Sequence, residues 1–580
     1  MLDATRAIPL PASLTTSHDH DDSNTENGST VISRDSDAYQ TALGWLVDRI
    51  DYEKLAAPGS RYRFTLERMR DLIRRLGHGQ HLTVDPREEG EHTPSSGDNT
   101  PANRFSPSVP TSTITRSNAG HSDAQGGQSN AGRNTAEGPQ NQVQIVHLAG
   151  TKGKGSAATM VAALLHAAGY RVGLYTSPHL VHLEERFRVD GEIATPEEMI
   201  GLIDSMRPIV EAMAAAPIGG PSFFELTTAM AIEHFHRHQC DVWVLETGLG
   251  GRLDSTNVFQ SHATAITSIG LDHQHVLGKT VELIAAEKAG IFKPGIPAIN
   301  GVPPGPVRDV IVRTAEQVGA PLSHLGSEIQ IETDAETNPN WGSRFRIRGL
   351  SDWMPAETKI ELKLEGAHQV QNAAIALALV NSLPEITPKL LPEQRIHECL
   401  ASLQIEARLE RFQLPGDRIV LLDTAHNADS IEAMLNVLNE RMHDRRKHCL
   451  FGTSADKNVL AMFQRMQPHF DCWTLTRYEG NPRFVPVADL HQAAILAGLI
   501  PEQITQSATP ITAIQHAVGS LAAHEVLVIC GSFFLAAELR PWLVQQRDQL
   551  VESPESEDSS LDSPRVSPPS SGSSSGSSSG

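Results

Sequence analysis

From about residue 143 onward, short apolar runs alternate with longer stretches whose apolar residues recur at helical spacing. Val143 to Val146, Arg171 to Tyr175, Val242 to Leu245 and Ala263 to Ile269 are short enough to predict strands. Helical spacing predicts helices at Ala157 to Ala168, Pro196 to Ala214, Phe224 to His236 and Thr280 to Ala289. This alternation predicts a mostly parallel sheet wrapped by helices. Upstream, Asp37 to Gly77 carries two helical stripes, one of Leu43, Leu46, Val47 and Ile50, the other of Leu66, Met69, Leu72, Ile73 and Leu76. Ile329 to Leu364 alternates in character and reads as an antiparallel excursion, after which His368 to Leu383 returns to a helix. A second series follows, with strands at Ile419 to Leu422, Cys449 to Phe451, Trp473 to Thr476 and Val526 to Ile529 and a helix from about Asp429 to Met442.

The pattern implies two α/β domains, at 37–404 and 415–545, joined by a hinge at 405–414. Composition explains the remainder. At 39% the hydrophobic content of these 580 residues is low for a fully globular chain. The polar N-terminal 36 residues, the Ser/Thr/Asn/Gly/Pro-rich stretch from about Glu88 to Asn141, and the Gly/Ser-rich end at 552–580 account for the deficit and are expected to lack secondary structure.

A net charge of -21 argues against nonspecific nucleic-acid or anionic-membrane binding. Local cations remain available to an anionic substrate, with Lys152, Lys154, Arg252, Lys279, Lys288 and Lys293 near the polar motifs. The five cysteines are scattered and form no Cys-x-x-Cys pair, which fits a reducing compartment rather than a disulfide framework or zinc site built on them. No signal segment or membrane-length apolar run is visible, so the expectation is a soluble cytoplasmic protein.

The polar motifs fall where strands end, the usual ligand edge of such a sheet. His147-Leu-Ala-Gly-Thr-Lys-Gly-Lys-Gly-Ser156 joins the first strand to the first helix of the series. A glycine-rich turn there gathers backbone N–H groups and a positive helix end, which suits a polyphosphate. Lys154 adds a mobile charge, and the Ser156 hydroxyl suits a phosphate-bound magnesium. Gly155, between lysine and hydroxyl, departs from the common phosphate-loop spacing. Glu246 ends its apolar strand ahead of Thr247-Gly-Leu-Gly-Gly-Arg-Leu-Asp254, as a hard cation beside a nucleotide requires. Asp272 and His273 end another strand, Ser177 offers a hydroxyl, and Asp423 is either a helix cap or a nucleotide contact from the second domain.

In this order the motifs resemble the ATP-dependent folylpolyglutamate synthases and dihydrofolate synthases, relatives of the Mur amino-acid ligases. The carriers are the 148–156 loop, Thr176-Ser-Pro-His-Leu180, Glu185-Arg-Phe187, Ser222-Phe-Phe-Glu225, Leu245 to Asp254 and Thr267 to His273. Ala286 to Ile291, Gly366 to Gln369 with Asn372, Asp423 to Asn427, Asp456-Lys457 and Gly531-Ser532 complete the set. The resemblance implies a phosphate-loop-type, mostly parallel N-terminal ATPase domain and a smaller Rossmann-like C-terminal domain. It implies that Gly153, Lys154, Gly155 and Ser156 hold ATP phosphates, with Asn372, Arg408 and Asp423 as further ATP contacts. Ser156, Ser177 and Glu246 would hold a first magnesium, and His273 a second. Lys288 matches a lysine that becomes carbamylated into an anionic metal ligand. Ser222, Phe223, Phe224, Glu225, Leu253, Asp254 and Ser255 match positions lining a pterin site. Lys154, Lys288 and His273 would be the catalytic residues.

The implied activity joins L-glutamate to a reduced folate, and to dihydropteroate as well, through an acyl phosphate in a monomeric enzyme. Three departures stand out. Lys152 replaces the usual loop asparagine, Ala407 stands where glycine is common before Arg408, and the 88–141 insert is not a family feature. Another Mur-type amino-acid ligase would share the loop without the pterin positions, and a regulatory ATP-binding protein would make no amide.

Overall fold

The computed structural model describes residues 32–47, 65–83, 143–333, 340–350, 358–383 and 392–552. The expectations for 88–141, for all but the last residues of 1–36 and for all but the first residue of 552–580 therefore fall outside the described residues. The chain divides into two compact units, one reaching Lys363 and resuming over Ala367–Leu403, the other made of Leu364–Gly366 and the chain from Gln404.

In the first unit β1 (Gln144–Ala149), β2 (Val172–Tyr175), β3 (Phe187–Val189), β4 (Glu192–Ile193), β5 (Val242–Glu246), β6 (Ala263–Ile266), β7 (Ala298–Asn300) and β8 (Leu322–His324) form one sheet. Its order is β4-β3-β2-β5-β1-β6-β7-β8. All neighbours are parallel except the hairpin formed by β3 and β4, which turns back antiparallel on β2. Every residue of β1 and β5 is buried, as expected of central strands covered on both faces, and this is why β5 reads as an unbroken apolar run up to Glu246, while β1 reads as a mostly apolar one that also buries Gln144 and His147. The chain leaves β1 toward β2 on one side and later reaches β6 on the other, so a topological switch point lies between β1 and β6.

Helix Pro196–Ala214 begins where its sequence says it should, with Pro196 at the first turn and a Thr195/Glu198 capping box. Helix Glu67–Arg75 buries Met69, Leu72 and Ile73, each contributing roughly 1.5–3 kcal/mol through burial. Helix Asp37–Val47 differs from expectation: Tyr39, Ala42 and Leu46 face the core, whereas Val47 is exposed and Ile50 lies outside the described residues. The polar segment before it is also anchored, for Arg34 donates to the fully buried Glu184 carboxylate at 2.9 Å. The antiparallel excursion is a three-stranded sheet of β9 (Gln330–Thr333), β10 (Ser343–Arg348) and β11 (Lys359–Leu362).

The second unit holds β12 (Glu410–Leu414), β13 (Arg418–Leu422), β14 (Arg446–Phe451), β15 (Cys472–Leu475), β16 (Ile504–Gln506) and β17 (Glu525–Cys530) in the order β12-β13-β17-β14-β15-β16. It is parallel but for β12, which pairs antiparallel with β13. Half of the expected hinge is therefore an edge strand. Phe412 and Leu414 point inward between exposed polar residues, an alternation over only five positions that resembles a polar linker.

Candidate functional site

The loop after β1 lies at the switch point and is tied to the chain leaving β6. That strand ends at Ile266 rather than Ile269, freeing two side chains that expectation had placed in it. The Thr267 hydroxyl donates to the Lys152 carbonyl at 2.6 Å, the Ser268 hydroxyl donates to the same oxygen at 3.0 Å, and the Lys152 N–H donates to Ser268 Oγ at 2.9 Å. Lys152 itself reaches Asp272 at 3.5 Å, so its charge pairs with a motif residue of the neighbouring loop.

Gly153 caps helix Lys154–Ala167 with φ +83°, a left-handed conformation in which a Cβ would also sit 2.3 Å from Asn372 Oδ1. Gly155 serves a different need: a Cβ there would lie 3.2 Å from Glu246 Oε2. Loop, Asn372 and Glu246 thus converge. Lys154 Nζ lies 3.7 Å from Glu246 Oε1, and the Ser177 N–H donates to Glu246 Oε2 at 3.1 Å. Ser156 is buried in the first turn of the helix. The side chains expected to hold a cation, Glu246, Ser156 and Ser177, offer only oxygen, a chemistry that fits a hard divalent cation better than a soft one.

Lys288, near the end of helix Val281–Ala289, is buried and donates to the Gly150 carbonyl at 2.7 Å. Burial, then the Lys154 charge, pushes its ammonium down to about 7. His273 is half exposed in a left-handed conformation, its ring 6.3 Å from that of His275 and its Nε2 3.8 Å from Asp272 Oδ1.

The positions expected to line a pterin site carry structural work of their own. Ser222 and Glu225 form a capping box for helix Phe223–Arg237, and Glu225 accepts a forked contact from Arg68 at 3.1–3.2 Å. Asp254 is buried; one oxygen accepts from the Leu249 N–H at 2.8 Å, the other from Thr256, and desolvation raises its pKa. Ser255 and Thr228 hydroxyls meet at 3.0 Å, Phe224 lies 5.9 Å from Tyr175, and the Phe223 ring sits beneath the Arg186 guanidinium. Leu253 lies partly buried in the same loop.

In the second unit Asp423 follows β13 and accepts from the Leu409 N–H at 2.8 Å and the Ala425 N–H at 2.7 Å. Burial raises its pKa while Arg408 opposes the rise. Arg408 donates to the Thr424 hydroxyl and lies over the Phe533 ring. Asp423 holds a turn before the helix, but the helix cap is Asn427, which accepts from the Ser430 N–H, so the helix-cap half of the sequence alternative does not hold.

Residues 148–380 match the Mur ligase middle domain, and residues 407–533 the glutamate ligase domain of Mur ligases. The solved Mycobacterium tuberculosis folylpolyglutamate synthase complexed with ADP and AMPPCP superposes with a TM-score of 0.65 at 26% identity, covering 87% of this chain and 98% of that one. E. coli FolC in complex with DHPP and ADP superposes at 0.59 with 28% identity, covering 70% and 90%. The Bacillus subtilis dihydrofolate synthase/folylpolyglutamate synthase is 32% identical over 403 residues, which span 69% of this chain and 91% of that protein. The chain belongs to the folylpolyglutamate synthase/dihydrofolate synthase family.

Several residues that shape this folylpolyglutamate synthase-type site were not singled out from sequence. Arg68 approaches Glu225 from 157 positions away, and His179 accepts from Arg186 at 3.0 Å. Glu185 holds the loop after β2 by accepting from the N–H groups of Leu180, Val181 and His182. A buried chain of contacts runs from His147 through Thr256 to Asp254, and Lys293 donates to Asn257 beside it. His147, His179, Glu185, Arg186 and Asp254 had a signal as parts of quoted motifs and Lys293 as a cation near them, whereas Arg68, Thr256 and Asn257 had none.

Proposed function

We infer that this protein is an ATP-dependent ligase that joins L-glutamate to a folate, and that it accepts dihydropteroate as well. A carboxylate is a poor electrophile and oxide a poor leaving group, so amide formation needs prior activation. The γ-phosphate of ATP, transferred to the substrate carboxylate, gives an acyl phosphate that the glutamate amine displaces. Phosphoryl transfer asks mainly for positioning and charge neutralisation. Lys154 and the N-terminal N–H groups of helix Lys154–Ala167 supply both, with Gly153 holding the turn open.

Ser156, Ser177 and Glu246 have the chemistry to hold one magnesium ion, and His273 with a carbamylated Lys288 a second. Such ions would neutralise phosphate charge that Lys154 alone leaves uncompensated. Phe223, Phe224 and Ser255 offer aromatic and hydroxyl surface for a pterin ring. Arg408 and Asp423 are the proposed nucleotide contacts of the second unit, and Asn372 that of the first. No described helix is long and apolar enough to cross a membrane.

The observation that carries this reading is the convergence of Lys154, Glu246 and the Gly150 carbonyl with its Lys288 partner on one strand-to-helix loop. One assay tests it. The full chain is given ATP, magnesium and glutamate with dihydropteroate or tetrahydrofolate in separate reactions, and products are identified by mass. A glutamylated pterin formed with phosphate release supports the reading; ATP binding without an amide product overturns it.

A further inference from the structure

Helices Pro196–Ala214 and Phe223–Arg237 pack side by side, and three side chains able to bind a metal meet where the first begins and the second ends. Glu198 lies in the first turn of one, His234 in the last turn of the other, and His238 at that helix's C-cap. Their ligand atoms all lie within 4.8 Å of one another. His238 Nε2 is 2.7 Å from Glu198 Oε1, and the His234 and His238 rings stand 4.5 Å apart at 66°.

Two histidines four residues apart project from one helical face and can share an ion. A carboxylate from a neighbouring helix supplies the third position of a tetrahedral site, leaving the fourth to water. The Thr195 N–H donates to the second Glu198 oxygen at 2.7 Å, which fixes the carboxylate's orientation. Access is available, because the Glu198 and His238 side chains are about one-third exposed. Capping and the Glu198–His238 contact explain those two residues without a metal. They do not explain His234, a buried ring that contacts the His238 and Phe235 rings but hydrogen-bonds no described residue.

Glu225, the last of the proposed pterin positions on this helix, precedes His234 by nine residues, so about 14 Å of helix separates the trio from them. We propose that Glu198, His234 and His238 form a binding site for a borderline divalent transition metal such as zinc, distinct from the ATP site and acting as a staple between the two helices. Two imidazoles select such an ion over magnesium. The proposal does not depend on which acid substrate the enzyme uses.

The full chain, stripped with a chelator and held in excess magnesium to fill hard-cation sites, is titrated with zinc against a chromophoric competitor. Wild type takes up one equivalent more than His238→Ala, and Glu198→Gln binds that equivalent at least about tenfold more weakly. Zinc raises the thermal unfolding midpoint of wild type but not of His238→Ala, while glutamate ligation by the folded variants is unchanged. Equal stoichiometry and affinity in wild type and both variants overturn the site. A zinc-induced shift that survives His238→Ala and Glu198→Gln overturns it equally.

Discussion

The Lys288 ammonium donates to the Gly150 carbonyl at 2.7 Å, joining the end of helix Val281–Ala289 to the loop that carries Lys154. A buried ammonium close to a second, partly buried one is an awkward pair, and Lys154 already depresses Lys288. Carbamylation converts one of them into an anion and removes the conflict. Gently prepared enzyme is therefore expected to carry a carbamate on Lys288 by intact-protein and peptide mass analysis. Lys288→Ala should lose about 100-fold or more in kcat and regain part of it with small added carboxylic acids. An unmodified lysine together with an active alanine variant removes Lys288 from the metal site.

Lys154 and Glu246 face each other at 3.7 Å with Gly155 between their backbones and side chains. The proposed tasks are separate, Lys154 acting on phosphate and Glu246 on a cation. Lys154→Ala and Glu246→Ala are each expected to abolish glutamate-dependent phosphate release while leaving far-ultraviolet circular dichroism unchanged. Near-normal turnover in either variant would sink that residue's role.

The parts of the site legible in sequence were those written contiguously. The loop from Leu148 to Ser156 and the strand delivering Glu246 announce themselves because a buried parallel strand is a continuous apolar run with glycine or charge at its end. The Ile269 boundary failed for the same reason: apolar letters continue past Ile266, while Thr267 and Ser268 have already left the sheet to bond Lys152. Arg68 was invisible because its partner is 157 residues away and nothing local marks it. β12 was missed because two inward residues in five give too little periodicity to distinguish a strand from a linker. Lys152, unexplained as a replacement for asparagine, finds its partner in Asp272 only once the two loops are adjacent.

Ala407 adopts φ +50°, in the left-handed region where a Cβ is unfavourable, at the position where the resemblance leads one to expect glycine. Backbone hydrogen bonds hold it there: its N–H donates to Glu410 at 2.9 Å and its carbonyl accepts from the Thr424 N–H at 3.2 Å. Ala407→Gly is expected to stabilise the second unit by up to about 1 kcal/mol, the relief of strain exceeding the added freedom of the unfolded chain. The denaturant midpoint of the second unit, followed by hydrogen exchange of peptides from β13 and β17, checks it. A lower midpoint would mean that packing of the Ala407 methyl outweighs the backbone term.

His147 predicts a pH effect whose sign is fixed by its burial. It lies within β1, its Nε2 is 2.8 Å from Thr256 Oγ1, and Thr256 in turn holds Asp254. Burial, reinforced by the Lys293 charge, pushes the imidazole down from 6.5 to about 3. Between those two values the unfolded chain binds the proton and the folded one does not. Stability therefore falls as pH drops below about 6.5, and this loss is complete only near the folded value. From pH 6.5 to pH 4.5 the contribution is about 2 kcal/mol. His147→Gln keeps an amide able to meet Thr256 but has no proton to take up, so its unfolding midpoint should decline less over that interval, even if poorer packing lowers it at neutral pH. Parallel midpoint-against-pH curves for the two proteins would show that His147 is not the group responsible.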